Sequence, residues 1–318
     1  DVDHLVPLGG ILLGDVADNR MTSAVIGDVG LKRETVPFSR KDTVPSRPLE
    51  RTTHAADASG TVLEVTPASA GWRHVGFKLV RLADGERHAG GEAGREACLV
   101  IVAGSADIEA GSERYAAVGG RATPFEDRAP GAVYVPAGVP YAVTARGAVE
   151  LAIGSAPGSG QGEPRLIESA RMSREARGSG TNTRYVRNIL PESEPAESLL
   201  VVEVITPGGH WSSYPPHKHD TATPAQETAL EETYYHRLNP AQGFAFQRVY
   251  TDDRVLDETV CVEDGDVVMV PRGYHPVGAP HGYELYYLNV MAGPSRRWIF
   301  RNDPAHAWIA GAATPRKD

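Results

Sequence analysis

The sequence predicts an all-β protein of two β-barrel or jelly-roll domains, with a metal site in the C-terminal barrel, and three observations carry that prediction. Short apolar or alternating runs dominate the chain and are punctuated by Gly, Pro, Asp and Asn clusters, while amphipathic helical patterns are scarce. Two portions of similar size repeat a Val-rich strand that ends in Pro-x-Gly. The second portion adds a His-x-His pair, a strand carboxylate and a later histidine, in that order.

The 318 residues exceed what one hydrophobic core usually serves, which favours two domains. Residues 1–50 carry scattered Gly, Pro and charge without sustained periodicity and read as an N-terminal extension. Its apolar stretch Leu5–Leu13 lacks a basic segment before it and is broken by Pro7, Gly9 and Gly10, so it does not read as a secretion signal. Residues 51–157 form the first barrel, with Ala97–Val102 as a typical strand. The stretch Ser155–Pro164 reads as a linker, and residues 158–318 form the second barrel. The best helical candidate is short and lies near Arg165–Arg174.

The repeat is visible in two places. Val133-Tyr134-Val135-Pro136-Ala137-Gly138-Val139-Pro140 aligns with Val268-Met269-Val270-Pro271-Arg272-Gly273-Tyr274-His275, and one strand earlier Glu96–Leu99 falls against Glu232–Tyr235. The first copy has Pro140 in place of His275 and no His-x-His pair, so a duplication leaves metal ligands in the second barrel alone.

Composition excludes some functions. With 32 basic against 41 acidic residues, nucleic acid is disfavoured as a partner, and no apolar run reaches membrane-spanning length. Cys98 and Cys261 lie in strand-like runs and are expected to be buried free thiols in a reducing cytoplasm.

His217 and His219 are two apart and, on a strand, point the same way, as two ligands of one ion must. The next strand offers Glu231 and Glu232, of which one can face inward with them, and His275 follows a Pro-x-Gly turn that can aim it into a barrel mouth. Three imidazoles and a carboxylate suit zinc, manganese, iron or nickel. Alternation places Glu232, Tyr234 and His236 on one face, making His236 and Glu232 the candidates for general base.

The order Gly, His-x-His, Glu, then Gly265 through Pro271, Gly273 and His275 resembles the paired motifs of the cupin superfamily. It departs from them in having Tyr274 alone between Gly273 and His275, and in a longer gap from His219 to Glu232, which implies an inserted loop, Asp220–Glu231. Trp211–Asp220, Glu231–Arg237, Gly243–Tyr250, Pro271–Val277 and Tyr286–Gly293 resemble the 5-deoxy-glucuronate isomerase family of inositol catabolism more closely. That likeness reaches from about Gly71 to Asn302-Asp303-Pro304 and leaves residues 1–50 uncovered.

The resemblance implies a bicupin fold and an aldose–ketose isomerisation of 5-deoxy-glucuronate to 5-dehydro-2-deoxy-gluconate, in the cytoplasm. Related uronate isomerases hold zinc with three His and one Glu, which carries over to His217, His219, Glu232 and His275. Isomerisation moves a proton between the carbons of an α-hydroxy aldehyde, and the substrate adds a carboxylate that arginine grips well. Arg272 is the first candidate for that grip, followed by Arg248 and Arg184, with Tyr234, Tyr286 and Asn289 as walls. A homo-oligomer is expected. The competing readings are another metal-dependent cupin enzyme, such as a dioxygenase, and a non-enzymatic sugar-binding bicupin.

Overall fold

The computed structural model describes residues 49–51, 55–172 and 174–311. These belong to one compact unit, Asp42–Asp318. Most of the N-terminal extension, including Leu5–Leu13, therefore lies outside the described residues; Leu49–Glu50 is a short strand that pairs with Val267–Val270.

The structure is nearly all β. In the first half, strands Thr61–Val65, Gly76–Leu82, Tyr141–Pro157, Arg95–Ala110, Gly131–Val135 and Arg165–Ile167 hydrogen-bond in that spatial order, with Arg87–Gly90 added to Tyr141–Pro157 and Glu113–Arg121 to Arg95–Ala110. The two long strands can serve both layers because their ladder slips between Ile101 and Ser105. Such bulges bend a strand. Gly104 sits there at φ +89, and a Cβ on it would lie 2.2 Å from the Ala148 carbonyl oxygen, so the bend requires glycine.

The second half is a sandwich. One sheet runs Leu49–Glu50, Val267–Val270, Glu231–Asn239, Glu284–Ala292, Leu200–Thr206, Arg184–Leu190, Arg174–Arg177; the other runs Trp211–Ser212, Val277–Gly278, Phe244–Tyr250, Asp257–Glu263. Both halves are thus jelly-roll layers without full closure, in a bicupin arrangement.

Side-chain alternation distributes the apolar residues among three cores. Val80, Leu99, Ile101 and Leu151 fill the first half, and Val202, Tyr234, Val268 and Tyr287 fill the second. Their neighbours in sequence, including Leu79, Cys98, Tyr235, Tyr286 and Leu288, point the opposite way and pack the halves against each other. Within that shared core Arg121 makes a two-pronged ion pair with Glu203, at 3.0 and 2.8 Å, and Tyr286 also donates to Glu203 at 3.2 Å. This buried charge pair joins a strand of the first half to a strand of the second.

Two expectations are corrected. The Arg165–Arg174 stretch is not a helix: Arg165–Ile167 joins the edge strand Gly131–Val135, one 3-10 turn follows at Ser169–Arg171, and Arg174–Arg177 is again a strand. A free strand edge and the alternation of exposed Leu166 with buried Ile167 outweigh local helical preference. Both cysteines are free, but Cys261 is exposed; it lies on the outer face of Asp257–Glu263, where a strand-like sequence does not imply burial. Among the described residues, no helix is long and apolar enough to cross a membrane.

Candidate metal centre

After a turn at Tyr214–Pro216, His217–Lys218 is a short strand that pairs with Arg301–Asn302. Alternation turns His217 and His219 to one face and Lys218, also buried, to the other. Glu231–Asn239 lies beside them in the centre of the large sheet, with Glu232 opposite Val270 and Met291. Two residues beyond Gly273, whose φ of +91 allows the sharp turn, His275 is directed to the same point.

One nitrogen from each of His217, His219 and His275 falls within 4.8 Å of the other two, and all three rings are buried. Glu232 Oε2 is 3.1 Å from His219 Nε2 and 3.3 Å from His275 Nε2. Glu231 points away and its carboxylate accepts the backbone N–H groups of Arg73, His74 and Val75 at 2.8–2.9 Å. The two neighbouring glutamates therefore do different work, one anchoring the first half and one facing the imidazoles.

The donor set fits a cation. His275 Nδ1 donates to the Gly273 carbonyl at 2.8 Å, which leaves Nε2 as a bare lone pair, buried and without a hydrogen-bond partner. Burial pushes His275 down to about 4, so its imidazole is neutral near neutral pH. Burial also holds His217 well below its usual range, aided by His275, His219 and Arg184. For His219 burial acts the same way, but the Glu232 carboxylate outweighs it and the net shift is upward. His217 and His275 are thus held as neutral imidazoles, the form that binds a divalent ion, while at His219 a bound ion would displace the proton that Glu232 favours.

The remaining candidates separate. Tyr234 faces the cluster: its ring meets His275 edge-on at 5.7 Å and its hydroxyl bonds Ser213 Oγ at 2.9 Å. His236 lies one layer deeper, stacked on Tyr234 at 5.9 Å, with Nε2 bonded to Gln247 Oε1 at 2.9 Å. Burial lowers it to about 4. Asn289 shares the inner face but donates to the Thr233 carbonyl at 3.3 Å. Tyr286 is not a wall of the site, because it occupies the alternate face and bonds Glu203 in the core between the halves.

The arginines also sort. Arg184 is mostly buried, its Nη1 donating to the Asn182 and Tyr214 carbonyls at 3.2 and 3.4 Å. Among the described residues no carboxylate comes within salt-bridge distance of it, and burial depresses it from its ordinary value. Its charge is felt at His217. Arg248 is turned out of the site and held by Asp257 through two 2.7 Å contacts. The charge of Arg272 is felt instead at Asp253, and its Nε is buried without a partner.

Four residues near the cluster are not singled out by the sequence as site residues, although Ser213, Gln247 and Tyr287 lie within the segments that carry the family resemblance. Tyr287 donates to Ser212 at 3.0 Å, Ser213 meets Tyr234 from φ +50, and Gln247 links His236 to the His275 carbonyl at 3.4 Å. Phe300 places its ring 4.6 Å from His217. Positive φ in a non-glycine residue beside a site is the sort of signal that only coordinates reveal.

Residues 49–309 match the KduI/IolB family. The chain belongs to that family. Among KduI/IolB relatives, the 5-deoxy-glucuronate isomerase of Geobacillus kaustophilus is 54% identical over 256 residues, 80% of this chain and 93% of the relative. The 5-deoxy-glucuronate isomerase of Bacillus subtilis strain 168 is 47% identical over 249 residues, 78% and 92% of the two chains. A solved IolB-like protein from Salmonella typhimurium superposes with a TM-score of 0.81 at 50% identity, over 83% of this chain and 99% of the other. Oxalate decarboxylase from Bacillus subtilis, solved as a point mutant, shares the fold at 15% identity and a TM-score of 0.58, over 81% and 79% of the chains.

Proposed function

We propose that this KduI/IolB member is an aldose–ketose isomerase that converts 5-deoxy-glucuronate to 5-dehydro-2-deoxy-gluconate in inositol degradation, with one divalent ion at His217, His219, Glu232 and His275. The carrying observation is the convergence of His219 and His275 on one oxygen of Glu232, in a chain about half identical to isomerases of that name. Zinc is the first choice of ion, with manganese, iron or nickel as alternatives. When bound, the ion supplies Lewis-acid stabilisation of negative charge on the carbonyl oxygen.

The protein's own groups do the rest. Arg184 takes the substrate carboxylate, because it is a partly buried guanidinium near His217 with no carboxylate partner among the described residues. This reverses the order given by the sequence, where Arg272 came first. Glu232, the carboxylate nearest the imidazoles, would carry the proton from C2 to C1 while the O2 hydroxyl proton passes to O1, so the isomerisation neither gains nor loses a proton. Tyr234 stands against the cluster and its hydroxyl, kept protonated first by burial and then by Glu232, offers a hydrogen bond to a substrate oxygen. His236 holds Gln247, which in turn holds the His275 backbone, so it positions a ligand instead of acting as base.

The reading is tested by assaying 5-deoxy-glucuronate conversion before and after chelation, with elemental analysis alongside. Turnover should vanish with the ion and return when it is restored; undiminished turnover in metal-free protein would end the proposal. Arg184→Ala should raise KM on the order of 10–100-fold with a smaller change in kcat, as loss of a charge-assisted contact implies. An unchanged KM would remove Arg184 from the carboxylate role.

A further inference from the structure

Behind the ligand strand lies a second polar cluster that the isomerisation chemistry does not use. Lys218, between the two histidines, is buried on the reverse face, with Nζ 2.8 Å from Asp220 Oδ1 and 2.8 Å from Asp252 Oδ2. The other oxygen of Asp220 accepts the backbone N–H of Gly273 at 2.8 Å. The carbonyl of that same Gly273 accepts His275 Nδ1–H at 2.8 Å. Asp220 is itself fixed by Glu227, whose Oε1 accepts the N–H groups of Asp220 and Thr221 at 2.9 and 3.1 Å.

A single carboxylate thus bridges the strand that carries His217 and His219 to the turn that carries His275. The turn has little room to adjust by itself, since a Cβ on Gly273 would lie 2.3 Å from the Tyr250 carbonyl oxygen. An ion pair held solely to close a loop would be replaceable by apolar side chains at little cost, because burying charge is expensive. Here the buried carboxylate performs a task an apolar side chain cannot: it fixes the residue whose carbonyl sets the tautomer of a ligand.

The geometry points to Asp220, held by Lys218, as a positioning residue of the metal centre that sets the aim of His275 relative to His217 and His219. This rests on the reading of those histidines and Glu232 as a metal site. It assigns Asp220 no contact with substrate.

The test uses cobalt(II) as a visible probe in the full chain. Wild type, His217→Ala, Asp220→Ala and Asp220→Asn are loaded with cobalt, and the ligand-field spectrum and the rate of release to a chelator are measured. Asp220→Ala should release cobalt on the order of 10–100-fold faster, the usual penalty for losing a ligand's hydrogen-bonded support, and its bands should shift in position or intensity. Asp220→Asn keeps the shape and one acceptor for the Gly273 N–H, so it should fall between Asp220→Ala and wild type. It also gives the reading if Asp220→Ala fails to fold. A wild-type spectrum and release rate in both Asp220 variants, with or without lower thermal stability, would overturn the proposal and leave the cluster as a loop clamp. Cobalt binding that His217→Ala does not weaken would instead remove the metal reading, and the proposal with it.

Discussion

The two halves present the same strand and turn to their interiors and fill them with opposite chemistry. In the first half Ala97 lies opposite Val135, just before Pro136; in the second Glu232 lies opposite Val270, just before Pro271. Reading on along the same faces, Ala97, Leu99 and Ile101 stand where the second half has Glu232, Tyr234 and His236. Pro140 stands where the second half has His275. The first half passes between its equivalent strands through the short Gly90–Gly94 turn, and the second makes the excursion Ser213–Leu230 that carries His217 and His219. Beside Ala97, Val135 and Val139 the first half has a cavity of about 570 Å³. The comparison teaches that the fold needs only the strand, the turn and an apolar face. The centre is a local addition made of one insertion and two substitutions.

The strongest way to break this comparison is to give the second half the residue of the first. Glu232→Ala should abolish metal retention and lower turnover by roughly 10³-fold, the scale of several kcal/mol of Lewis-acid stabilisation. The sheet should survive, because the first half folds with alanine at that place. Elemental analysis and far-ultraviolet circular dichroism check the two halves of the expectation; full metal occupancy in the variant would refute the ligand assignment.

The reverse exchange asks whether two ligands suffice. Ala97→Glu combined with Pro140→His places a carboxylate at buried position 97 and an imidazole at exposed position 140, without a His-x-His strand to join them. Metal content should stay at one ion per chain, and urea denaturation should show a loss of about 1–3 kcal/mol from the unpaired carboxylate at buried position 97, with little added by exposed position 140. A second bound ion would mean that the insertion is dispensable.

How much of this was legible in the sequence follows from the range of each interaction. The strands and the His217–His219 pair were legible because alternation and Pro-x-Gly turns act over a few residues. The same rule lets only one of Glu231 and Glu232 face the histidines, and the family resemblance chose Glu232. The alignment of Glu96 with Glu232 was one residue out, which in a strand exchanges the faces: Glu96 accepts from the Glu197, Ser198 and Leu199 backbone, and Ala97 is the true counterpart. Tyr286 and Arg248 were misplaced for a related reason, since sequence gives the alternation of a strand but not which face meets which layer. The preference for Arg184 and the Asp220–Gly273 contact depend on segments 30 and 53 residues apart, which no local pattern encodes. The helix expected near Arg165 failed because a distant strand edge claimed those residues.

Histidine against isoleucine on matching faces gives a subtler contrast. Burial lowers folded His236 to about 4, against roughly 6.5 in an unfolded chain. Between those values the unfolded state binds more protons, so stability is full above pH 6.5 and falls as pH drops toward 4. The shift is worth about 3 kcal/mol at most. His236→Ile, which copies Ile101, should flatten that acid slope in chelated protein followed by urea unfolding from pH 7 to 4, even though Gln247 loses a partner. His217 and His275 retain their own part of the slope. An unaltered slope would show that His236 does not titrate across that window.

The smallest effect is expected on the outer face of the second half, where the comparison says no chemistry resides. Arg248 alternates with inward Gln247, pairs with Asp257 and lies over the Tyr250 ring at 4.4 Å. Its side chain is 42% exposed, so the ion pair is screened and contributes about 0.2–1 kcal/mol. Arg248→Ala should therefore lower stability by no more than that and leave KM for the acidic sugar unchanged, whereas Arg184→Ala on the inner side raises it. A tenfold rise in KM for Arg248→Ala would extend the substrate site around the edge of the four-stranded sheet, and the division between an inert outer face and a reactive inner one would have to be redrawn.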